Sequence, residues 1–302
     1  MATQLTTQRI AERAAVEVLP IQAADAAEAS RILFEAFRDL YDYHRFPGAY
    51  PSTEFAAGIV CGLIDHPLVW GVTACSEGRL VGSSFIDERG LVRGIGPVSV
   101  DPQAQAHGVG RHLMTALLKR AADVPDVRLL QDSFNRSSLA LYASLGFEVR
   151  ELVVLLAGRP RSGVQPGVDV RPLEVGDIEE CERLCLAVHG FNRTNELRDA
   201  LDDPLCSPFV AVRSGRISAY ATTLRYFPAA YAVAATEDDM RALILGAAAV
   251  DQQPVSFLVP TYQGGLFRWC LGERLRVIKP MTYMTLGEYG RPDGCWIPSL
   301  MY

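Results

Sequence analysis

The sequence contains one pattern twice, and this repeat constrains the fold more than any other feature. Residues 16–28 read VEVLPIQAADAAE, and residues 168–180 read VDVRPLEVGDIEE. Farther along, WGVTACSEGRLVGSSF at 70–85 corresponds to PFVAVRSGRISAYATTL at 208–224, in each case two β-rich runs around a Gly-Arg turn. The repeat therefore predicts two copies of one α/β unit, in preference to a single large domain with chance similarity.

Both copies are predicted to start with a short alternating strand that leads into a helix. Asp25 and Glu28 in the first copy, and Asp177 and Glu180 in the second, have the spacing of a capping box. This spacing predicts that the two aspartates are N-caps. Apolar residues then recur at helical spacing as far as Leu40, which predicts an amphipathic helix.

The segment between the copies has the composition of a linker. Residues 158–167 read GRPRSGVQPG, and five of these ten residues are Gly or Pro. We predict a first domain at 1–157, a linker at 158–167 and a second domain at 168–302. This division agrees with a prior of about 150 residues per domain.

Composition excludes several classes of protein. The net charge of −6 and the pI of 5.5 disfavour nucleic acid as a partner, because such proteins usually carry a basic excess. No apolar run reaches the ~18 residues of a membrane helix, and the first fifteen residues lack the apolar core of a secretory signal. The cysteines form no CxxC pair, so we expect free thiols and a cytoplasmic protein. Cys181, Cys185 and His189 share a helix face and are interpreted as helix packing, so no metal site is predicted.

A strand, a glycine turn and a helix follow one another between residues 91 and 121. Val98 and Val100 belong to the strand, and Gly108 and Gly110 belong to the turn. The first N–H groups of a helix lack internal partners and carry positive potential, so they bind anions, and the glycines would let a phosphate approach. The turn lacks the lysine of a P-loop and the third glycine of a Rossmann fingerprint. By itself it therefore fits either an anion site or a sharp turn.

A second motif lies downstream, in VRLLQDSFNRSSLALYASLGF at 127–147. A strand leads to Asn135, a favourable N-cap, and a short helix follows. The order Q-x-x-G-x-G, then N-x-x-S-x-x-L-Y-x-x-L-G-F, resembles the GNAT family of N-acetyltransferases. The resemblance covers 16–156 and recurs in weakened form in 168–302. Ser138 departs from the alanine that is usual in the family.

The resemblance implies a fold, a cosubstrate and a set of site residues. The fold is α/β (α+β), with two tandem GNAT-type domains, each a mixed, mostly antiparallel twisted sheet flanked by helices. Acetyl-CoA is the acyl donor, and no metal is involved. The residues implied to bind the pyrophosphate are Gln105, Ala106, His107, Gly108, Val109, Gly110 and Arg111. Those implied to bind the pantetheine arm are Val98, Ser99 and Val100 on one side and Asn135 and Ser138 on the other.

Tyr142 matches the general acid of the family. A thiol has a pKa of about 8.5 and a tyrosine of about 10, so protonation of the leaving thiolate is uphill by roughly 2 kcal/mol in water. Because a thiolate can also leave unaided, loss of Tyr142 should slow the reaction without abolishing it. The alternative role of Tyr142 is that of a core aromatic residue with a solvated hydroxyl. A backbone N–H near Val98 is expected to stabilise the oxyanion.

The sequence defines the general base and the acceptor site less well. Asp87 and Glu88 are candidate bases, although Asp-Glu-Arg-Gly is also favourable turn chemistry, the interpretation that we prefer. An aromatic cluster predicted in the loop after the first helix would form either an acceptor pocket or a packed loop. Its members are Tyr41, Tyr43, His44, Phe46 and Tyr50.

The second copy is predicted to bind no CoA. Its turn should lie near 235–246, where Thr236 resembles an N-cap and is followed by three carboxylates that would repel a diphosphate. Aligning CLGERL at 270–275 with SLGFEV in the first copy places Arg268 at the position of Tyr142. The acid would therefore be missing as well.

Together these features predict a cytoplasmic acyltransferase that moves acetyl from acetyl-CoA to a primary amine in its first half. A polyamine, an aminoglycoside or a lysine side chain would suit the acidic composition; no nucleic acid or membrane partner is expected. The second half would complete the acceptor cleft or form the face of a homodimer, and its apolar tail, 294–302, would pack as a terminal strand. Two alternatives stay open: a catalytically silent acyl-CoA sensor or interaction module, and an acyltransferase with a longer acyl donor or a hydroxyl acceptor.

Overall fold

The computed structural model of the chain describes residues 15–227 and 230–301. The prediction about a secretory signal concerns the first fifteen residues, and all of these but Ala15 lie outside the described residues. The strands are β1 (Val16–Pro20), β2 (Val69–Ser76), β3 (Arg79–Asp87), β4 (Val92–Val100), β5 (Asp126–Asp132), β6 (Glu148–Gly158), β7 (Asp169–Pro172), β8 (Phe209–Arg213), β9 (Arg216–Thr223), β10 (Tyr231–Ala234), β11 (Val255–Pro260), β12 (Arg276–Gly287) and β13 (Cys295–Ile297). The helices are α1 (Ala26–His44), α2 (Thr53–Asp65), α3 (Val109–Arg120), α4 (Arg136–Ser144), α5 (Ile178–His189), α6 (Thr194–Asp202), α7 (Glu237–Asp251) and α8 (Gly264–Gly272). No helix of the described ranges is both long enough and apolar enough to cross a bilayer.

The repeat in the sequence is also a repeat in the structure. The β2–β3 hairpin turns through Glu77 and Gly78, and the β8–β9 hairpin turns through Ser214 and Gly215. All four residues have left-handed φ angles, between 51° and 76°. Two successive left-handed residues match the twist of antiparallel strands. The same turn therefore joins the same two strands in both halves.

The two predicted N-caps act differently from the prediction. Asp25 caps no helix with its side chain but accepts the N–H of Gln22 at 2.8 Å, which closes a short 3-10 turn before α1. Asp177 accepts the N–H of Glu174 at 2.9 Å in the same way before α5. The prediction placed both aspartates correctly at the starts of α1 and α5. Each carboxylate, however, accepts a backbone N–H from the residue three positions before it, and not one from the helix that follows.

The larger sheet takes strands from both halves. Its eight strands run in the order β1-β2-β3-β4-β5-β12-β6-β11. In this sheet β12 pairs with β5, with Met281 opposite Asp132, and β6 pairs with β11, with Leu155 opposite Leu258. Each half therefore donates its final long strand to the other half. The smaller sheet has the order β13-β10-β9-β8-β7, and the predicted mixed, mostly antiparallel architecture is confirmed.

Strand β4 leaves its neighbour β5 part-way along. The two strands pair in parallel from Val92 to Ile95, whereas Val98 and Val100 pair only with β3 on the other side. The divergence leaves a sheet gap, which we define as the space between residues 96–100 of β4 and residues 129–132 of β5.

Helices cover both faces of the larger sheet beside this gap. Leu33 of α1 packs with α2 against Phe85. Leu113 of α3 packs against Ile86, the next residue of the same strand. Because consecutive residues of a strand point to opposite faces, α1 and α2 lie on one face, and α3 and α4 lie on the other. The sheet gap is therefore a passage between the two helical layers.

Candidate active site

A cavity of about 1430 Å³ passes through the sheet gap. On one face it reaches the glycine turn and the starts of α3 and α4. On the other it is walled by α1, α2 and several residues of the second half. Most of the residues predicted to bind the cosubstrate line it: Val98, Val100, Gln105, Ala106, Gly108, Val109, Gly110, Arg111, Asn135, Ser138 and Tyr142.

Two predicted residues do not line the cavity. Ser99 is 2% exposed, and its hydroxyl lies 3.2 Å from that of Ser83 on the neighbouring strand. Its side chain therefore belongs to the β3–β4 interface. His107 is exposed on the outer side of the turn. Neither side chain is placed to contact a ligand within the cavity.

The glycine turn presents free backbone donors to the cavity. Gly108 is the N-cap of α3 with a left-handed φ of 87°, and no side chain occupies the capping position. The first turn of α3 carries no acidic residue. Since the first N–H groups of a helix have no partner within it, Val109 and Gly110 leave theirs available to an anion. A Cβ on Gly110 would lie 3.2 Å from Leu141, so this glycine also lets α3 approach α4.

Side chains around the turn fix its position. Gln105 donates to the carbonyl oxygen of Val100 at 3.2 Å and so ties the turn to the end of β4. Arg111 donates to the hydroxyl of Ser144 at 2.6 Å and so bridges α3 and α4. Its guanidinium is exposed at the cavity entrance, where it adds positive charge.

Tyr142 lies in the wall of the cavity and keeps its proton. Burial raises the pKa of the phenol to about 12, with Asp132 adding to the effect and a hydrogen bond to Ser138 opposing it. Asn135 caps α4 by accepting the N–H of Ser138 at 3.1 Å, as predicted. A protonated tyrosine in the last turn of α4 that lines the cavity is suited to donate a proton to a leaving group in the gap.

Gln131 is a cavity residue that the sequence analysis missed. Its side chain is 5% exposed, and neither its amide nitrogen nor its amide oxygen has a hydrogen-bond partner. A buried unpaired amide costs roughly 1–3 kcal/mol per group, which a ligand with amide groups would recover. The pantetheine arm of CoA carries two such amides, so the lining fits this cosubstrate. No clear signal in the sequence marks it, because β5 reads DVRLLQD and contains three further polar residues.

A buried ion pair joins the two halves at the cavity wall. Lys279 of β12 lies 2.7 Å from the carboxylate of Asp132 at the end of β5, and both side chains are 5% exposed. The hydroxyl of Tyr41 donates to Asp132 at 2.8 Å and accepts from Lys279. Desolvation lowers the pKa of the Lys279 ammonium, and Asp132 partly offsets that effect. Sequence analysis could not find this cluster, because its members lie far apart along the chain.

The two candidate general bases lie elsewhere. Asp87 is 1% exposed and is held by Arg89 through contacts of 2.6–3.0 Å. Burial would raise its pKa, but Arg89 outweighs burial, and the pKa lies below its ordinary value. Glu88 pairs with Arg120 at 2.9 Å at the turn after β3. Because neither carboxylate lines the cavity, both are removed as bases.

The aromatic cluster divides between two roles. Part of the predicted loop is helical, since α1 continues past Leu40 to His44, whereas Phe46 and Tyr50 lie in the loop that follows. Tyr41, Tyr43 and Tyr50 line the cavity. Phe46 instead stacks on the ring of Phe134 at 4.3 Å, and His44 packs beside it at 5.1 Å. Three of the five residues are thus placed for an acceptor, and two are packing.

The helix start of the second half is closed to an anion. Thr236 caps α7 by accepting the N–H of Asp239 at 3.1 Å, as predicted. The carboxylate of Glu237 lies against Gly265 of α8, where a Cβ would be 2.0 Å from it. A negative charge therefore fills the space between α7 and α8 that is open between α3 and α4.

The alignment that placed Arg268 at the position of Tyr142 is wrong. The N–H of Phe147 bonds to the carbonyl of Tyr142 at 3.1 Å after α4, and the N–H of Leu275 bonds to that of Cys270 at 3.1 Å after α8. Cys270 is therefore the structural counterpart of Tyr142. It is fully buried, and burial raises the pKa of its thiol to about 12. The second half therefore has a buried thiol at the position where the first half has the phenol of Tyr142.

The misalignment has a local cause. Gly146 takes the left-handed conformation after α4, with a φ of 96°. After α8 this conformation belongs to Arg274, with a φ of 69°, while Gly272 is still helical. The shared Leu-Gly pair therefore marks different positions in the two halves.

A strand of the chain fills the second half's equivalent of the sheet gap. β13 pairs with β10, with Trp296 opposite Val233, and also contacts β11. The side chain of Gln263 donates to the carbonyl of Trp296 at 2.7 Å and accepts its N–H at 2.9 Å. Gln263 is the N-cap of α8, as Asn135 is of α4. The tail packs as a terminal strand, as predicted, and it occupies a place that is cavity in the first half.

The cysteines of α5 belong to the core. Cys181 and Cys185 are 0% and 1% exposed and pack against the smaller sheet, so their interpretation as helix packing is confirmed. His189 packs against Trp296 at a ring distance of 5.5 Å. Among the residues that the structure describes, no three His, Cys, Asp or Glu side chains come together as a metal site requires.

Comparison with known proteins finds one matching family model, one curated relative and several solved structures of similar fold. The model of the acetyltransferase (GNAT) family matches residues 31–147. A mycothiol acetyltransferase from Nocardioides sp. (strain ATCC BAA-499 / JS614) is 29% identical over 163 residues, which cover 49% of this chain and 54% of that protein. The match therefore spans about half the length of this curated relative.

Solved structures resemble the chain over nearly its whole length. A protein from Pyrococcus horikoshii has a TM-score of 0.67 at 16% identity, over 98% of this chain and 97% of that chain. A tandem GNAT protein from the clavulanic acid biosynthesis pathway has a TM-score of 0.56 at 13% identity, over 90% of this chain and 98% of that chain. At such identities the likeness concerns the fold alone.

Proposed function

We propose that the chain transfers acetyl from acetyl-CoA to a primary amine in its first half. The match of the acetyltransferase (GNAT) family model to residues 31–147 and the fold shared with a tandem GNAT protein support this proposal. The observation that supports this most is one continuous cavity that joins the open glycine turn to Tyr142 through the sheet gap. The turn would bind the diphosphate of CoA, and β4 would bind the pantetheine arm through its unpaired edge. Gln131 lines the same passage and would supply a further amide partner.

The chemistry follows from this placement. The neutral amine attacks the thioester carbonyl carbon, a C–N bond forms, and a tetrahedral oxyanion results. The C–S bond then breaks, and the thiolate takes the proton of the Tyr142 hydroxyl. The nitrogen of the intermediate releases its extra proton to solvent, and solvent returns a proton to Tyr142. The products are an amide and CoA. The high pKa of Tyr142 keeps this proton available at any pH near neutral.

Tyr142→Phe should lower kcat by roughly 100-fold, because the proton donor is lost while a thiolate can still leave unaided. The Kd for CoA should stay within about twofold, since the ring remains in place. Because burial raises the pKa of Tyr142 to about 12, the acid is protonated throughout the range below that value. The wild-type rate measured by thiol release should therefore show no alkaline decline between pH 8 and pH 10.

Tyr220→Phe, a buried tyrosine of the smaller sheet, is the matched control and should retain the wild-type rate. A Tyr142→Phe enzyme with full activity would remove Tyr142 as the acid. An alkaline limb near pH 9 that disappears in Tyr142→Phe would show that its phenol titrates in that range and contradict the structural argument.

The chain should bind one CoA. In the second half Glu237 lies where the diphosphate would sit, and β13 fills the place of the pantetheine arm. Isothermal titration with CoA should give a stoichiometry of one per chain. The stoichiometry should fall to zero in a variant whose glycine turn in the first half is blocked. A second site that survives such blocking would contradict the proposal.

A further inference from the structure

The part of the cavity left for the acceptor is defined by where CoA must enter. The glycine turn and the starts of α3 and α4 lie on one face of the larger sheet, and the sheet gap leads from there to the other face. An attacking amine has to approach the thioester from the side that the CoA arm leaves free. That side is the section bounded by α1, α2 and the second half, which we call the acceptor chamber.

The walls of the acceptor chamber are aromatic and continuous across both halves. Phe37 of α1 packs edge-on against Tyr50 at 5.2 Å, and Tyr50 contacts Phe227 of the second half at 5.7 Å. Phe55 of α2 also packs edge-on against Phe227, at 5.5 Å. Three aliphatic or thioether side chains of the second half complete the lining: Met281, Leu300 and Met301.

The charges in the wall do not favour a polycation. Inside the chamber Asp132 is neutralised by Lys279, whose ammonium lies 4.9 Å from the ring centre of Tyr41 and 5.3 Å from that of Tyr226. These ring faces are therefore already used by a cation. Among the described lining residues the other carboxylates are exposed or half-buried, and they are Asp39, Glu54 and Asp203.

A polyamine or an aminoglycoside needs several inward-facing carboxylates to replace its hydration. The chamber instead offers apolar rings, and Asp132, the one buried carboxylate among its described lining residues, is already paired with Lys279. A second ammonium on the acceptor would therefore lose its hydration without gaining a buried counter-charge. An amine carried on a flat apolar body loses little hydration and gains contact with the rings.

We propose that the acceptor is a monoamine on an aromatic or other apolar body, and that Lys279 determines specificity by occupying the buried carboxylate of Asp132, which a second ammonium would need as its partner. The proposal rests on the acyl transfer proposed above and names the substrate class of that site. It also assigns a role to the strand exchange, because β12 of the second half carries Lys279 into the active site of the first.

The test compares two acceptors that each present a primary amine, 2-phenylethylamine and 1,4-diaminobutane, with acetyl-CoA as donor. We expect kcat/KM from thiol release to be at least about tenfold higher for 2-phenylethylamine. Contacts between an apolar group of the substrate and an apolar pocket discriminate between substrates by about tenfold or more. Phe227→Ala should reduce that preference mainly through KM, whereas Phe227→Leu, which keeps the apolar surface, should retain most of it.

The role of Lys279 is tested with Lys279→Met, which frees the carboxylate of Asp132, and with the double variant Lys279→Met and Asp132→Asn, which removes both charges and leaves no buried ion unpaired. We expect kcat/KM for 1,4-diaminobutane to rise relative to 2-phenylethylamine by about tenfold or more in Lys279→Met and to keep the wild-type ratio in the double variant. An unchanged ratio in folded Lys279→Met, or a similar rise in the double variant, would overturn the role of Lys279.

Two further outcomes would overturn the acceptor class. One is a wild-type enzyme that prefers 1,4-diaminobutane. The other is turnover of hexanoyl-CoA with ethylamine that exceeds turnover of acetyl-CoA with 2-phenylethylamine, because the chamber would then hold an acyl tail. If no amine releases thiol although CoA binds, the proposed transfer fails. The acceptor class is then decided by thermal shift with CoA present: stabilisation by 2-phenylethylamine alone supports it, and stabilisation by neither amine or by 1,4-diaminobutane overturns it.

Discussion

Gly108→Glu should weaken CoA binding by about two to three orders of magnitude while the chain stays folded. A carboxylate at this N-cap would lie about 4 Å from a bound diphosphate, where like charges at an effective dielectric constant near 20 repel by about 4 kcal/mol. Each 1.4 kcal/mol is about a tenfold change in Kd. The backbone φ of 87° adds strain of roughly 1–2 kcal/mol, which affects stability and not binding. Titration calorimetry with CoA measures the first effect, and the melting temperature measures the second.

Gly78→Glu separates these two effects. Gly78 has a φ of 75°, and a Cβ added there would meet nothing within 4 Å. A Cβ added to Gly108 would likewise have room, since its nearest neighbour would be His112 at 4.0 Å. It lies in the β2–β3 turn and does not line the cavity. Gly78→Glu should therefore lose similar stability and bind CoA like the wild type. If Gly108→Glu bound CoA equally well, the glycine turn would not be the diphosphate site, and the enzymatic proposal would fail.

A chain that ends at residue 157 should not give a folded monomer. The strand exchange buries the end of β6 inside the second half, and removal of that half exposes four apolar residues, Val153, Val154, Leu155 and Leu156. Burial of each is worth about 1.5–3 kcal/mol. Their sum is comparable with the roughly 5–15 kcal/mol that stabilises a whole domain.

The fragment cannot repair itself by folding β6 back beside β5. Lys279 of β12 pairs with Asp132. Counted from the equivalent residues Phe147 and Leu275, the residue of β6 that corresponds to Lys279 is Glu151. The returned strand would set two carboxylates side by side in a buried wall, which is strongly unfavourable. We expect aggregation or a non-cooperative thermal transition for residues 1–157, measured by size-exclusion chromatography and circular dichroism.

Coexpression of 1–163 with 164–302 is the control for that experiment. The cut follows Gly163, which is exposed in the linker, and a Cβ added there would meet nothing within 4 Å. The two fragments should associate and melt as one unit with the CoA affinity of the intact chain. A soluble, cooperatively melting monomer of 1–157 would instead support the domain boundaries predicted from the sequence as boundaries of independent folding.

Local structure was largely predictable because its signals lie within a few residues. Asn135 and Thr236 cap α4 and α7 as predicted. The errors are also local in origin. The Leu-Gly pair misled the alignment because Arg274 adopts a conformation that glycine usually takes, and no sequence rule identifies such an exception.

The residues that were missed share one property. Lys279 contacts Tyr41 across 238 positions of sequence, and Gln131 becomes informative only when its amide proves to be buried without a partner. Asp87 and Glu88 were candidate bases because an acidic residue near the end of a strand can act as a general base or can form part of a turn. Their arginine partners, and the fact that neither carboxylate lines the cavity, became visible only in the folded chain.

By itself the sequence determined the duplicated α/β units, the hairpins, the glycine turn and the tyrosine after it, since turn chemistry, capping and apolar periodicity act between residues that are close along the chain. Only the tertiary structure decided which strands are neighbours. It exchanged β6 with β12, filled the second half's gap with β13 and carried Lys279 into the first half's cavity. Such pairings depend on the free energy of burying surfaces far apart in sequence and on the charges those surfaces bring together, and no local pattern records that sum.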